Sequence, residues 1–200
     1  PAINRDEFDR FMGSVPADTL VILDEAYREF VTDPLAVRGE DVLAFHPNLV
    51  VLRTFSKAFG LAGLRIGYAV GDARVLDAAR TTAIPLAVTA QAEAAALATL
   101  APEALATLES QIAELVERRS ALVAGLRKQG LDVPDAQGNF VWIELGDEAV
   151  ALADAFAAEG TLVRPFPGHG VRISVGETDS VAEVLRITAA FVARGTGGEA

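Results

Sequence analysis

Two uninterrupted apolar runs, Leu20-Val-Ile-Leu23 and Leu49-Val-Val-Leu52, set the strongest limit on the fold. Unbroken runs of this kind suit strands covered on both faces, as in a parallel sheet flanked by helices. Each run gives way abruptly to polar residues. Asp24-Glu25 follow the first, and Arg53, then Ser56-Lys57, follow the second. In open α/β sheets, ligands gather beyond the carboxyl ends of the strands. The residues after these runs are therefore the ones to read for chemistry.

The remaining pattern is also α/β. Asn4 and Glu7 have the spacing of a capping box, with Phe8 and Phe11 as a short apolar helix face. Residues 31–47 read as loop with one short helix, closed by His46-Pro47-Asn48. Leu64–Val70 is expected to be a third strand, and Asp72 to cap a helix over Ala73–Arg80. Pro85 leads into an alanine-rich helix to Leu100, and Pro102 opens the next. There Leu105, Leu108, Ile112, Leu115, Leu122 and Leu126 keep helical spacing until Gly130, and Glu114, Glu117 and Arg118 form the charged outer face. This helix is expected to join two domains, 1–101 and 102–200. The last third reads as a strand (Asn139–Glu144), a helix (Ala149–Glu159), two short strands (Thr161–Arg164 and Val171–Val175) and a helix capped by Ser180 and Glu183 and ending at Arg194. Trp142 is expected in the core of that small domain, and Gly195–Ala200 as a frayed tail.

Composition removes several function classes. A net charge of −11 argues against nucleic acid or an anionic membrane surface as partner. With no cysteine there is neither a disulfide framework nor a thiolate metal site, and two histidines, His46 and His169, do not make a histidine-based one. His169 lies in Pro167-Gly-His-Gly170 and reads as loop rather than ligand. No apolar run approaches membrane-spanning length and no signal peptide opens the chain, so a cytoplasmic protein is expected. The chain opens on Pro1 with its only methionine at Met12, which suggests a piece of a longer protein.

Lys57 is one of only two lysines, the other being Lys128. A lone amine at a strand end suits imine formation with a carbonyl. Arg65 can hold a phosphate as a planar fork. Ser56 and the backbone amides freed by Gly60 and Gly63 can assist it. Asp24 can pair with a protonated pyridine nitrogen, and the Tyr27 hydroxyl can sit near a phenolic oxygen. Together these outline a site for pyridoxal phosphate. Without Lys57, Asp24-Glu25 would be ordinary turn formers. Strand-end packing explains Arg53 and Thr54 as well as cofactor contact does.

These residues carry a resemblance. Asp24-Glu-Ala-Tyr27 followed by Ser56-Lys-Ala-Phe-Gly-Leu-Ala-Gly-Leu-Arg65 resembles the fold-type-I pyridoxal-phosphate aminotransferases. Within them the chain is most similar to the histidinol-phosphate aminotransferase family and its actinobacterial aromatic (phenylalanine) branch. Gln137-Gly-Asn-Phe-Val-Trp142, Val163-Arg-Pro-Phe166 and Gly170-Val-Arg-Ile-Ser-Val-Gly176 extend the match along the chain. The resemblance implies part of a large domain with a mostly parallel sheet, plus a small C-terminal α/β domain. It implies Lys57 as the Schiff-base lysine and proton shuttle, Asp24 on the pyridine nitrogen, Tyr27 on the phenolic oxygen, and Ser56 and Arg65 on the phosphate. Arg172 would grip the substrate α-carboxylate and Arg164 would help read its far end. The implied reaction is ping-pong transamination between an amino donor and a 2-oxo acid such as 2-oxoglutarate, in a homodimer. Family members are about twice this length, so a truncated chain should bind cofactor weakly or not at all. Two alternatives stay open: a lyase such as a threonine-phosphate decarboxylase, and a folded but inert fragment.

Overall fold

The structure, a computed structural model, describes residues 2–196. Pro1 and the tail residues 197–200, part of the stretch expected to fray, lie outside the described residues. The chain divides into two compact units, Ala2–Ser110 and Gln111 onward, with the break inside the long helix Pro102–Lys128.

The first unit opens with α1 (Arg5–Ser14), β1 (Val21–Asp24), α2 (Gly39–Val42), β2 (Leu49–Thr54) and β3 (Gly67–Gly71). The capping box of α1 forms as expected: Glu7 N–H donates to Asn4 Oδ1 at 2.8 Å and Asn4 N–H to Glu7 Oε2 at 2.9 Å. The buried face of α1 differs from expectation. Phe8 and Met12, one turn apart, are buried, whereas Phe11 faces solvent. They join Val21, Leu23, Val42, Leu49 and Val51 in one core. Gly39 permits this packing, because a Cβ there would stand 2.6 Å from the Val51 side chain.

β1 and β2 pair parallel from Val21↔Leu49 to Asp24↔Leu52. β3 then returns antiparallel, from Val50↔Gly71 to Thr54↔Gly67. No crossover helix separates β2 from β3, so the loop 55–66 turns the chain straight back. The three-stranded sheet, ordered β1-β2-β3, thus holds one parallel and one antiparallel pairing. Two strand expectations need correction. β1 is covered on one face only: Val21 and Leu23 are buried while Ile22 is 57% exposed. The third strand starts at Gly67 rather than Leu64, because Ala62–Leu64 form a 3-10 turn and Arg65 takes a left-handed backbone, φ 52°.

α3 (Ala73–Thr82) begins where Asp72 accepts the Arg74 N–H at 2.9 Å. α4 (Ala90–Thr99) starts later than the proline implied. Thr89 caps it by accepting the Ala92 N–H at 3.1 Å, and the preceding segment turns through Leu86, φ 59° and 96% exposed. α5 (Pro102–Lys128) follows, and the chain turns away just after it at Gly130, φ 84°.

The second unit continues with β4 (Phe140–Gly146), α6 (Ala149–Ala158), β5 (Arg164–Phe166), β6 (His169–Ser174) and α7 (Thr178–Thr196). Its sheet is antiparallel, ordered β4-β6-β5. Val141, Ile143, Val171 and Ile173 point to one face, where Leu122 and Leu126 of α5, Leu152 and Phe156 of α6, and Val184 and Ile187 of α7 complete the core. Buried Arg119 of α5 donates to the Gly138 carbonyl at 2.9 Å, fixing the turn that enters β4.

Three expectations change here. β5 begins at Arg164 and β6 at His169, so His169-Gly170 belong to a strand, and the reversal is made by Pro167-Gly168 with Gly168 at φ 76°. Trp142 is half-buried on the face away from the core, edge-on to Phe166. Its neighbours Val141 and Ile143 take the core face, and strand alternation sends Trp142 outward. α7 begins at Thr178, where Ser180 donates to the Glu177 carbonyl and Glu183 pairs with Arg186 instead of closing a capping box.

Candidate active site

The parallel register of β1 and β2 brings their carboxyl ends to one edge of the first unit's sheet. Asp24 is the last residue of β1, and its Oδ1 accepts the Ala26 N–H at 3.0 Å. Tyr27 follows at the entry to a 3-10 turn, Arg28–Phe30. Lys57 follows the end of β2, and its ammonium lies 5.2 Å from the centre of the Tyr27 ring. The structure thus brings Lys57 and Tyr27 into direct contact. Asp24, Ser56 and Arg65 share the same edge, since β3 begins opposite Thr54 just after Arg65.

The loop between β2 and β3 is held from inside. Phe55 is buried, and its ring meets Phe59 at 4.9 Å and Tyr68 at 6.0 Å. Phe55 also exchanges backbone bonds with the loop: its N–H donates to Ile66 and its carbonyl accepts from Leu61. Thr54 Oγ1 accepts the Ser56 N–H at 3.0 Å. Arg65 is exposed and donates to the Ala62 carbonyl at 2.8 Å. Neither Arg65 nor Lys57 has a carboxylate partner among the described residues. The Gly60 N–H, expected to be free for a phosphate, donates instead to the Lys57 carbonyl at 3.0 Å. An amine, an unneutralised guanidinium and a strand-end carboxylate are the groups that suit a phosphorylated pyridine aldehyde.

Arg53, which the sequence left undecided, belongs to a different network. Cross-strand pairing puts it on the core face of the sheet, opposite Tyr68. Its Nε donates to Glu25 at 2.7 Å, one terminal nitrogen to Glu29 at 3.4 Å, and the other lies 3.6 Å from Glu40. Sequence reading missed these three acids. The available signal was Glu25 and Glu29 placed symmetrically about Tyr27.

In the second unit Arg164 and Arg172 are direct cross-strand partners. Arg172 lies over Phe140 at 5.2 Å and Arg164 over Phe166 at 5.1 Å. Neither has a carboxylate partner among the described residues. Two like charges held side by side on aromatic rings favour an anion between them. His169, with Asp132, Glu144 and Glu148, lines a separate acidic cleft of about 610 Å³.

The family model for aminotransferase class I and II matches residues 2–194. The chain belongs to that family. It is 46% identical over 189 residues to an aromatic amino acid aminotransferase of Streptomyces avermitilis, covering 94% of this chain and 52% of the relative. The chain therefore spans about half the length of the curated relatives it matches. Among solved structures it is similar to a histidinol-phosphate aminotransferase from Sinorhizobium meliloti in complex with pyridoxal-5'-phosphate: TM-score 0.82, 28% identity, covering 98% of this chain and 54% of that one. It is also similar to an L-threonine-O-3-phosphate decarboxylase from Porphyromonas gingivalis: TM-score 0.77, 25% identity, 96% and 61% covered. The fold is that of the fold-type-I aminotransferases, a family that works with pyridoxal phosphate, and the donor set around Lys57 fits that group.

Proposed function

We propose that this chain is the lysine-bearing half of a pyridoxal-phosphate-dependent aminotransferase that moves the amino group of an aromatic amino acid or histidinol phosphate to a 2-oxo acid such as 2-oxoglutarate. The observation that carries the reading is Lys57: exposed, without a carboxylate partner among the described residues, seated against Tyr27 at the edge that Asp24 and Arg65 share. When bound, the cofactor supplies an electron sink for the substrate carbanion.

The chain's own residues supply the rest. Asp24 presents its carboxylate to the pyridine nitrogen, and Tyr27 its hydroxyl to the phenolic oxygen. Ser56 and Arg65 would hold the phosphate. Lys57 Nζ would be the amine that holds the cofactor covalently, and as a free base it would carry the substrate α-proton. Arg172 takes the α-carboxylate and Arg164 the far end of the substrate. Residues 1–101 carry the cofactor side and 102–200 the substrate side. A cytoplasmic homodimer completes the reading, supported by the family resemblance alone.

The presence of two lysines makes the test simple. The chain is mixed with excess pyridoxal phosphate, reduced with borohydride and digested. The cofactor mass is expected on the Lys57 peptide and absent in Lys57→Ala; labelling of Lys128 alone overturns the reading. The similarity to a threonine-phosphate decarboxylase favours one second reading, a lyase on the same scaffold. Carbon dioxide release without a 2-oxo acid acceptor selects it; amino transfer from phenylalanine, tyrosine or histidinol phosphate rejects it.

A further inference from the structure

We infer that Arg53 is a positioning residue that holds the Tyr27 ring against Lys57. The inference rests on the proposed function only in taking Lys57 as the reacting amine; the geometry stands by itself.

Tyr27 sits where the backbone alone is weak. The single 3-10 turn that follows it, Arg28–Phe30, has no side-chain cap, and its backbone bonds are Arg28 N–H to Glu25 at 3.1 Å, Phe30 N–H to Tyr27 at 3.0 Å and Val31 N–H to Arg28 at 3.3 Å. Turns of this length have poor hydrogen-bond geometry and little intrinsic stability. Arg53 reaches the acids on both sides of the tyrosine. It binds Glu25 before it at 2.7 Å and Glu29 after it at 3.4 Å. Glu25 is itself fixed, because its other oxygen accepts the Gly39 N–H at 2.6 Å and its side chain is only 5% exposed. A carboxylate this buried needs its partners. Glu40 adds a looser contact to Arg53 at 3.6 Å, and Arg28 lies 3.6 Å from the same acid.

Arg53 belongs to β2, the strand that leads directly into Lys57. One guanidinium therefore ties the segment that presents the ring to the segment that presents the amine. A planar fork can bind two carboxylates at fixed angles, whereas an ammonium group cannot. That difference separates positioning from simple charge neutralisation.

The test reads the contact directly, without cofactor. In the 200-residue chain labelled with isotopic lysine, the two lysines give separate signals, assigned by Lys57→Arg. A ring face shifts nearby protons upfield, so the Lys57 ε-protons are expected upfield of those of Lys128, and Tyr27→Leu is expected to erase the difference. Arg53→Met, Arg53→Lys and Glu29→Ala are each expected to remove more than half of it. Glu29→Gln, which keeps the acceptor, is expected to retain most of it. In a second, uniformly nitrogen-labelled sample of each variant the amide signals of Val51 and Ala69 report the sheet, and a merely structural role would move them together with Lys57. A Lys57 shift retained in Arg53→Met, or in Glu29→Ala should Arg53→Met unfold, overturns the inference. So does a shift fully restored by Arg53→Lys. Borohydride labelling of Lys57 is scored separately, so a failure of the proposed function is distinguishable from a failure of this one.

Discussion

The Lys57 ammonium stands 5.2 Å from the centre of the Tyr27 ring, joining the turn after β1 to the loop after β2. A cation over an aromatic face is worth about 0.5–1 kcal/mol at an exposed site. A double-mutant cycle between Tyr27→Leu and Lys57→Met should therefore return a coupling of about 0.5–1 kcal/mol in urea unfolding. A coupling of zero would mean that the two groups do not interact in solution.

Glu25 and Arg53 form a largely buried pair, with side chains 5% and 18% exposed. Removing Glu25 takes the shortest partner from Arg53 and the acceptor from the buried Gly39 N–H, at a cost of about 3 kcal/mol, the lower end of the usual range because Arg53 keeps Glu29, Glu40 and some solvent. Glu25→Ala should lower stability by about that much. Glu25→Met combined with Arg53→Met should cost less than the sum of the single changes. Chemical denaturation of all the variants decides it, and strict additivity would deny the pair.

Arg164 and Arg172 repel across β5 and β6. Like charges directly opposite cost about 0.2–1 kcal/mol. Arg164→Gln should raise the melting temperature of the free chain. It should also reduce the additional rise that 2-oxoglutarate produces in the parent chain. A variant that melts lower, or that gains as much from the dicarboxylate as the parent, contradicts this arrangement.

Arg186 donates to both Glu183 and Glu159, at 2.8 Å and 3.0 Å. The hydrogen bond from Arg186 holds the Glu183 carboxyl below the ordinary glutamate value. A carboxyl depressed in the folded state stabilises it above the unfolded midpoint, and that stabilisation is lost as pH falls through the depressed one. Carboxyl NMR should show Glu183 titrating below the ordinary glutamate value, and Arg186→Met should return it to that value. A Glu183 midpoint unmoved by that substitution would refute the assignment.

The parts of this fold legible in the sequence were those with local causes. The apolar runs located β1 and β2, and the polarity change after each located Asp24 and Lys57. The Asn4–Glu7 box and Asp72 marked helix starts, because capping is a matter of a few neighbouring residues. The burial of Ile22 was misjudged, because an apolar run states what a residue tolerates and not what covers it. The start of β3 was misplaced because a left-handed arginine at position 65 has no sequence signature. For α4, Thr89 was a readable cap that the proline at position 85 overshadowed. The placing of Glu25 and Glu29 about Tyr27 hinted at a shared partner, but not that it is Arg53, which is far from them in sequence and becomes a neighbour only through strand register.

Arg65 has a final consequence. A left-handed backbone costs an ordinary residue about 1–2 kcal/mol, yet Arg65 is held there by the Phe55–Ile66 and Phe55–Leu61 bonds that close the loop around it. The strain is thus borne once, when the polypeptide folds, and the phosphate contact proposed for Arg65 would be made from a main chain already in place. Glycine would relax the backbone and lose the fork, while valine or isoleucine would be sterically barred. Few residues other than arginine can satisfy both demands at that position.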